Sequence, residues 1–303
     1  MIKNAIDLGI NMIDTGNTYP IHPNISSNLG RKSEEIIGNA VQGYRDEIII
    51  TTKVGLGQGP NCGGLSRKHI LWQIKQSLER LKTDYIDIYC LHRFDQNTPL
   101  KETLRTMNDL VRAGKVNYVA CSNFSAWQIA KTREISEALG LEEFIAVEAQ
   151  YNLLQREVER DVLPYCQEEG LGVLAFSPLI GGFLTGKYTK DVPPPFGSRC
   201  YHDPRYWKHV KEEENFAVLE QIKIVAEEAG LALPQMAIAW VLKNPVMTAL
   251  IVGASKPEHI EGDCRVTATD ISDETYNRLN EITRPILTAN RSNILGGALK
   301  PFS

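Results

Sequence analysis

Three apolar runs in this chain end in side chains able to hold or move a proton. Asp14 follows Met12-Ile13, Lys53 closes Ile48-Ile49-Ile50-Thr51-Thr52, and His92 closes the run from Ile86 to Leu91. Tyr19 stands five residues beyond Asp14, after the turn-forming Thr15-Gly16-Asn17-Thr18. A lysine at the end of an apolar strand is costly to bury unless paired, and Asp14 on a neighbouring strand is the obvious partner. A phenol beside that ammonium is expected to have its pKa lowered from about 10 towards neutrality. That makes a general acid for protonating an oxygen. Each residue also has a plain structural reading: Asp14 capping a turn, Lys53 snorkelling to water, Tyr19 packing at the surface. Four compatible groups ending three successive strands favour chemistry.

Such groups need a scaffold that gathers strand ends. Strand-like runs recur at 11–14, 48–54, 85–92, 116–122, 146–151, 173–177 and 249–253, and most lack strict alternation, as parallel strands covered on both faces do. Helical patterns lie between them. Ile70, Ile74, Leu78 and Leu81 form one stripe, with Ser66 placed to cap it. Thr98-Pro99 reads as a capping residue and a first-turn proline before the stripe Leu104, Met107, Leu110 and Val111, with Gly114 as the left-handed exit. Ser125 to Gln128 reads as a capping box. Alternation of strand and helix predicts a parallel sheet with right-handed crossovers.

An open doubly wound sheet and a closed β/α barrel both fit that alternation. The open dinucleotide-binding form should carry G-x-G-x-x-G, but the nearest stretch, Gly55 to Pro60, has proline where the third glycine belongs. Polar residues also end many different strands (Asp14, Lys53, His92, Ser122, Asn123, Gln150 and Ser177), which suits a barrel mouth. The expected fold is therefore a TIM-type β/α barrel forming a single domain over 1–303. Seven strand runs are found where such a barrel has eight, and the chain opens on a helical pattern, so the first strand is expected to be missing.

Composition narrows the function classes. With 303 residues, 43% hydrophobic and 23% charged, the chain has the balance of a globular protein. A net charge of −4 argues against a broad nucleic-acid footprint or a basic membrane-docking face. No apolar run reaches the length of a membrane span and no secretory signal pattern opens the chain, so a cytoplasmic location is expected. The six cysteines show no C-x-x-C spacing, and the six histidines form no H-x-H pair, against a zinc ribbon, a redox couple or a barrel metallohydrolase.

The segments Asp7-Leu8-Gly9-Ile10-Asn11-Met12-Ile13-Asp14-Thr15 with Tyr19, then Thr52-Lys53 and Leu91-His92, resemble the aldo-keto reductase signature. So do Gly114-Lys115-Val116, Cys121-Ser122-Asn123-Phe124, Gln150-Tyr151-Asn152, Phe176-Ser177-Pro178-Leu179, Gly186-Lys187-Tyr188 and Ile251-Val252-Gly253-Ala254-Ser255. Gly64 to His69 and His92-Arg93-Phe94-Asp95 resemble the aryl-alcohol dehydrogenase-like and bacterial sugar-reductase branch. The resemblance implies an NADP(H)-dependent oxidoreductase acting on an aldehyde, ketone or ketosugar. Tyr19 would donate the proton, Lys53 lower its pKa, Asp14 hold Lys53, and His92 orient and polarise the carbonyl. Ser122, Asn123 and Gln150 would grip the nicotinamide carboxamide, and Phe176 would lie against the ring. Ser177, Leu179 and Gly181, with Pro178 and Lys187 of the same motifs, would approach the pyrophosphate.

At the adenosine end, Gly253, Ser255 and Lys256 fit the family pattern, and Lys256 suits a 2′-phosphate. His259 stands where Gln or Arg is usual, and Asp263 in place of Asn would repel a phosphate. NADP is favoured over NAD on this reading, with NAD(H) still possible. The family's N-terminal hairpin and first strand have no counterpart in the sequence. Residues 187–215, rich in proline and aromatics with little periodicity, read as a loop that could cover the cofactor, and the tail from 288 as a pocket-lining segment. A second reading stays open at this point: a non-catalytic cofactor-binding relative of the channel-associated β-subunit kind.

Overall fold

The computed structural model describes residues 1–19, 32–57, 63–267 and 269–288. In chain order its elements are α1 (Ile2–Asp7), β1 (Met12–Asp14), α2 (Lys32–Ala40), β2 (Ile49–Val54), α3 (Arg67–Leu81), β3 (Ile86–Leu91), α4 (Leu100–Arg112), β4 (Val116–Ser122), α5 (Ala126–Leu139) and β5 (Phe144–Gln150). There follow α6 (Val162–Glu169), β6 (Gly172–Phe176), α7 (Arg199–His202), α8 (Pro204–Val210), α9 (Glu213–Glu228), α10 (Leu233–Lys243), β7 (Met247–Ile251), α11 (Pro257–Val266) and α12 (Asp273–Thr288). The seven described strands are parallel neighbours in chain order with helices between them, the strand order of the expected β/α barrel and not of a doubly wound sheet. No single described helix is long and apolar enough to cross a membrane.

The described residues fall into two compact units. The first takes its residues from Met1–Glu148 and Pro164–Gly172. Within it β1 to β5 pair in parallel, in registers that set Asp14 beside Thr51, Lys53 beside Cys90 and Ser122 beside Glu148. Ile50, Val54, Ile86, Tyr89, Leu91, Val119 and Ala120 are buried, so these strands read as the continuous apolar runs of a sheet covered on both faces. Behind β2, the fully buried Glu34 of α2 accepts from Thr52 Oγ1 at 2.6 Å and from Arg80 Nε of α3 at 2.8 Å. Gly38 lets α2 lie against the end of α3, because a Cβ there would stand 2.4 Å from the Arg80 carbonyl oxygen.

The second unit takes its residues from Ala149–Leu163 and from Val173 onward. β6 pairs with β7, and Tyr151 N donates to Phe176 O at 3.3 Å just beyond the end of β5. Its core holds Trp240, Phe183, Leu184, Leu219 and Ile222. Trp240 Nε1 donates to Asn280 Oδ1, and Arg156 lies 5.0 Å from the Trp240 ring while paired with Glu159.

Helix punctuation follows the sequence in part. Ser66 Oγ accepts from His69 N and caps α3, and Gly114 takes φ 66° after α4. Thr98 does not cap α4: its hydroxyl donates to Asp95 Oδ2 at 2.6 Å, and Pro99 sits at the cap. Asp95 also accepts from Leu65 N and Asn97 N; burial works to raise its pKa, but the bonds from Thr98, Leu65 and Asn97 together hold it low. Only the return half of the capping box forms, with Ser125 N donating to Gln128 Oε1 at 2.9 Å while Ser125 Oγ has no partner among the described residues. The 187–215 stretch is not irregular throughout, since it contains α7 and α8, anchored where Tyr188 Oη donates to Gly181 O. Cys90, Cys121, Cys166, Cys200 and Cys264 are free, the first four buried. Cys62, Gln58-Gly59-Pro60 and the tail beyond 288 lie outside the described residues.

Candidate active site

The four residues expected to do chemistry lie together in the first unit. Lys53 is 1% exposed near the end of β2, and its ammonium is fully engaged. It donates to Asp14 Oδ1 in a short ion pair and to Thr15 O at 2.9 Å, and pairs with Glu148 Oε2 at 3.3 Å. Three acceptors for three N–H groups explain how an ammonium survives there. Its pKa is raised well above the ordinary lysine value, because the charges of Asp14 and Glu148 outweigh the burial that opposes them.

Tyr19 is set by the turn between β1 and α2. Its backbone N donates to Gly16 O, Thr15 N donates to Thr51 O, and Asn17 Nδ2 reaches Leu56 O at 2.9 Å. A Cβ at Gly16 would stand 3.1 Å from the phenol ring, so a larger residue there would press on Tyr19. The ring centroid lies 5.1 Å from Lys53 Nζ and 5.6 Å from the His92 ring, which it meets edge-on. The expected fall in the phenol pKa is not what this structure gives. Burial raises it, and the lowering effect of Lys53 is offset by the negative charges of Asp14 and Glu148. Desolvation and a second carboxylate, neither of them visible in the segment around Tyr19, outweigh the ammonium.

His92 follows β3, its N donating to Val54 O at 2.8 Å. Burial first, then the cations Lys53 and Arg93, lower its pKa to about 3, so the imidazole is neutral at physiological pH. Its Nδ1 is buried without a hydrogen-bond partner among the described residues. At the end of β4, Asn123 adopts φ 58°, a left-handed conformation that asparagine tolerates better than most residues. Its Nδ2 donates to His92 O at 3.1 Å and to Ser122 Oγ at 2.9 Å, leaving Oδ1 buried without a partner among the described residues.

Glu148, 2% exposed, is a member of this cluster that sequence reading missed. Its signal was available: a lone carboxylate inside the otherwise uncharged strand Phe144-Ile145-Ala146-Val147-Glu148-Ala149-Gln150.

The second unit holds the remaining expected residues. Gln150 donates from Nε2 to Gln155 Oε1 at 2.6 Å, and Asn152 Nδ2 reaches Ser177 O at 3.0 Å. Gln150 Oε1 and Ser177 Oγ are buried without partners among the described residues. Phe176 ends β6 half-buried, followed by buried Pro178 and half-buried Leu179. The backbone then turns left-handed at Ser177, Ile180, Gly181 and Gly182, with φ of 60°, 49°, 60° and 91°. At Gly182 a Cβ would lie 2.5 Å from Lys187 Nζ, so that ammonium rests against the turn. Past β7, Gly253, Ser255, Lys256 and His259 are exposed, with Ser255 Oγ 3.4 Å from His259 Nδ1 and Lys256 at the cap of α11. Burial raises the Asp263 carboxyl to about 6, against the opposing influence of His259.

A comparison with family models matches residues 1–284 to the aldo/keto reductase family. L-glyceraldehyde 3-phosphate reductase of Escherichia coli K12 is 35% identical over 269 residues, covering 86% of this chain and 76% of that protein. Aldo-keto reductase YhdN of Bacillus subtilis is 32% identical over 285 residues, covering 93% and 82%. A similar match, 35% over 268 residues and covering 84% and 77%, is to an Arabidopsis thaliana protein named probable voltage-gated potassium channel subunit beta. Match length and identity, together with parallel strands alternating with helices, establish that the chain belongs to the aldo/keto reductase family.

Proposed function

We propose that the chain is an NADP(H)-dependent reductase that converts the carbonyl of an aldehyde, ketone or ketosugar to an alcohol, with Tyr19 as the general acid. The observation that carries this reading is the Lys53 ammonium, buried and bonded to Asp14, beside the Tyr19 phenol and a neutral His92. Polar atoms left without partners among the described residues suit a nicotinamide dinucleotide in each unit taken by itself: in the first, Asn123 Oδ1 is an acceptor for an amide N–H, and in the second, Gln150 Oε1 is another acceptor and the Ser177 hydroxyl can donate to an anion. When bound, that cofactor supplies the hydride to the carbonyl carbon.

The protein's own task is the proton and the alignment. Burial keeps the Tyr19 phenol protonated, so it is the donor to the carbonyl oxygen as negative charge grows there. The phenolate left behind lies next to Lys53, whose charge Asp14 fixes in place. Neutral His92 has an N–H to give to the same oxygen, and Asn123 ties its backbone. Ser122, Asn123 and Gln150 are assigned to the carboxamide and Phe176 to the ring face. Ser177, Pro178, Leu179, Gly181 and Lys187 are assigned to the pyrophosphate, where left-handed turns and a cation favour an anion. Gly253, Ser255, Lys256, His259 and Asp263 are assigned to the adenosine end. Lys256 is the cation that favours the 2′-phosphate of NADP; Asp263 opposes it.

Some relatives are named as potassium channel subunits, but the complete Asp14, Tyr19, Lys53 and His92 set favours turnover. The test is a titration of tryptophan fluorescence with NADPH and with NADH. It is followed by the absorbance of reduced nicotinamide in the presence of glyceraldehyde 3-phosphate, aromatic aldehydes and ketosugars. Saturable quenching with carbonyl-dependent NADPH oxidation is expected; saturable binding without oxidation by any of them would overturn the catalytic reading.

A further inference from the structure

One ammonium in this centre serves two buried carboxylates. Lys53 is bonded by Asp14 from β1 and by Glu148 from β5, with side-chain exposures of 2%, 11% and 2% respectively. If both acids were ionised, the buried group would carry a net negative charge, which a low-dielectric interior resists. Glu148 is the more deeply buried of the two acids and holds Lys53 at the longer contact. Its Oε1 is buried and has no hydrogen-bond partner among the described residues. Without a donor at Oε1, Glu148 lacks a bond that would help to hold a charged carboxylate in a buried site.

We propose that Glu148 is a positioning residue of the proton-donating centre: it shares Lys53 with Asp14, carries a proton in the resting protein, and on losing it weakens proton donation by Tyr19. This inference rests on the reductase reading. The groups facing Glu148 are Asp14 of β1, Tyr19 after β1, Lys53 of β2, Cys90 of β3 and Cys121 of β4. Burial comes first among the causes that raise its carboxyl to about 8; the Asp14 charge adds to it and Lys53 opposes it. With Glu148 neutral, the charge of Lys53 is balanced by Asp14 alone. With Glu148 ionised, a further negative charge faces the phenol and makes it a poorer acid. No net chemistry is added: one proton leaves Glu148 to solvent, and the reaction at the carbonyl is otherwise unchanged.

The test uses the whole chain with glutamate labelled at the side-chain carboxyl carbon, titrated by nuclear magnetic resonance without cofactor. One glutamate is expected to titrate near pH 8, far above the others, and to vanish in Glu148→Gln. The phenol of Tyr19, followed by ultraviolet difference absorbance, is expected to ionise at lower pH in that variant. Single-turnover reduction by the wild type is expected to step down to a lower plateau as pH rises through that midpoint, and Glu148→Gln to remove the step. A wild-type protein in which every glutamate titrates in the ordinary range would overturn the proposal, with no variant needed. So would an alkaline step unchanged in Glu148→Gln. A protein that reduces no carbonyl but shows the high-titrating glutamate would refute the reductase reading and leave the resting protonation of Glu148 established.

Discussion

Asn123 donates from Nδ2 to the backbone oxygen of His92 at 3.1 Å, tying the end of β4 to the residue that follows β3. The contact depends on the left-handed backbone at Asn123, which aims one amide end at His92 and leaves the other without a partner among the described residues. Replacing Asn123 with valine removes that tie and places a β-branched residue at positive φ. The expected cost is about 1–3 kcal/mol of stability, read by thermal unfolding, while Asn123→Gly costs less. Equal stability of the two variants would contradict the strain argument.

Lys53→Met leaves Asp14 and Glu148 facing each other with no cation. Loss of one partner from a buried pair typically costs about 3–5 kcal/mol, so denaturant midpoints should fall clearly. Double replacement, Lys53→Met with Asp14→Asn, should recover part of that loss, because it also removes the carboxylate left unpaired. Additive losses in the double variant would show that the two side chains do not interact.

Stability should depend on pH with two opposed limbs. The His92 pKa is lowered to about 3 in the fold, so between there and its unfolded value near 6.5 the unfolded chain binds the extra proton. Stability from His92 is therefore lost as pH falls through that range. Glu148 is raised to about 8, so the folded chain holds the extra proton above the ordinary carboxyl range. Its contribution is present at low pH and lost as pH rises towards 8. Unfolding by urea across pH should show His92→Gln flattening the acid limb and Glu148→Gln the alkaline limb. An unaltered pH profile in both variants would contradict these assignments.

Gly38→Ala tests the packing behind β2. Its Cβ would meet backbone atoms of Arg80 and Leu81 within 2.7 Å, so the end of α3 must move. Overpacking of this kind costs about 1–3 kcal/mol, and helix propensity recovers only about 1 kcal/mol of it. A variant more stable than the parent would show that the helices separate freely.

Much of this arrangement was legible in the sequence because the signals were local. Apolar runs place the strands within a few residues, and the pairing of Asp14 with Lys53 follows from their positions at the ends of successive runs. What was not legible depended on neighbours distant in the chain. Glu148 looked like one more charge among many until its strand was set against Ser122 and its side chain against Lys53. The high pKa of the Tyr19 phenol is hidden for the same reason, since its desolvation belongs to the packed site and to no short segment. Thr98 has the sequence of a cap, and its actual acceptor, Asp95, is recognised only once the bonds of Asp95 to Leu65 and Asn97 are formed.

The most direct measurement compares the wild-type chain with Tyr19→Phe in reduction of an aldehyde by NADPH deuterated at the nicotinamide C4. Cofactor affinity is followed in parallel by tryptophan fluorescence. The expected result is deuterium on the carbinol carbon of the wild-type product, and a rate about 10²–10⁴ lower in Tyr19→Phe with unchanged cofactor affinity. Equal rates in the two proteins would contradict the assignment of Tyr19 as the proton donor.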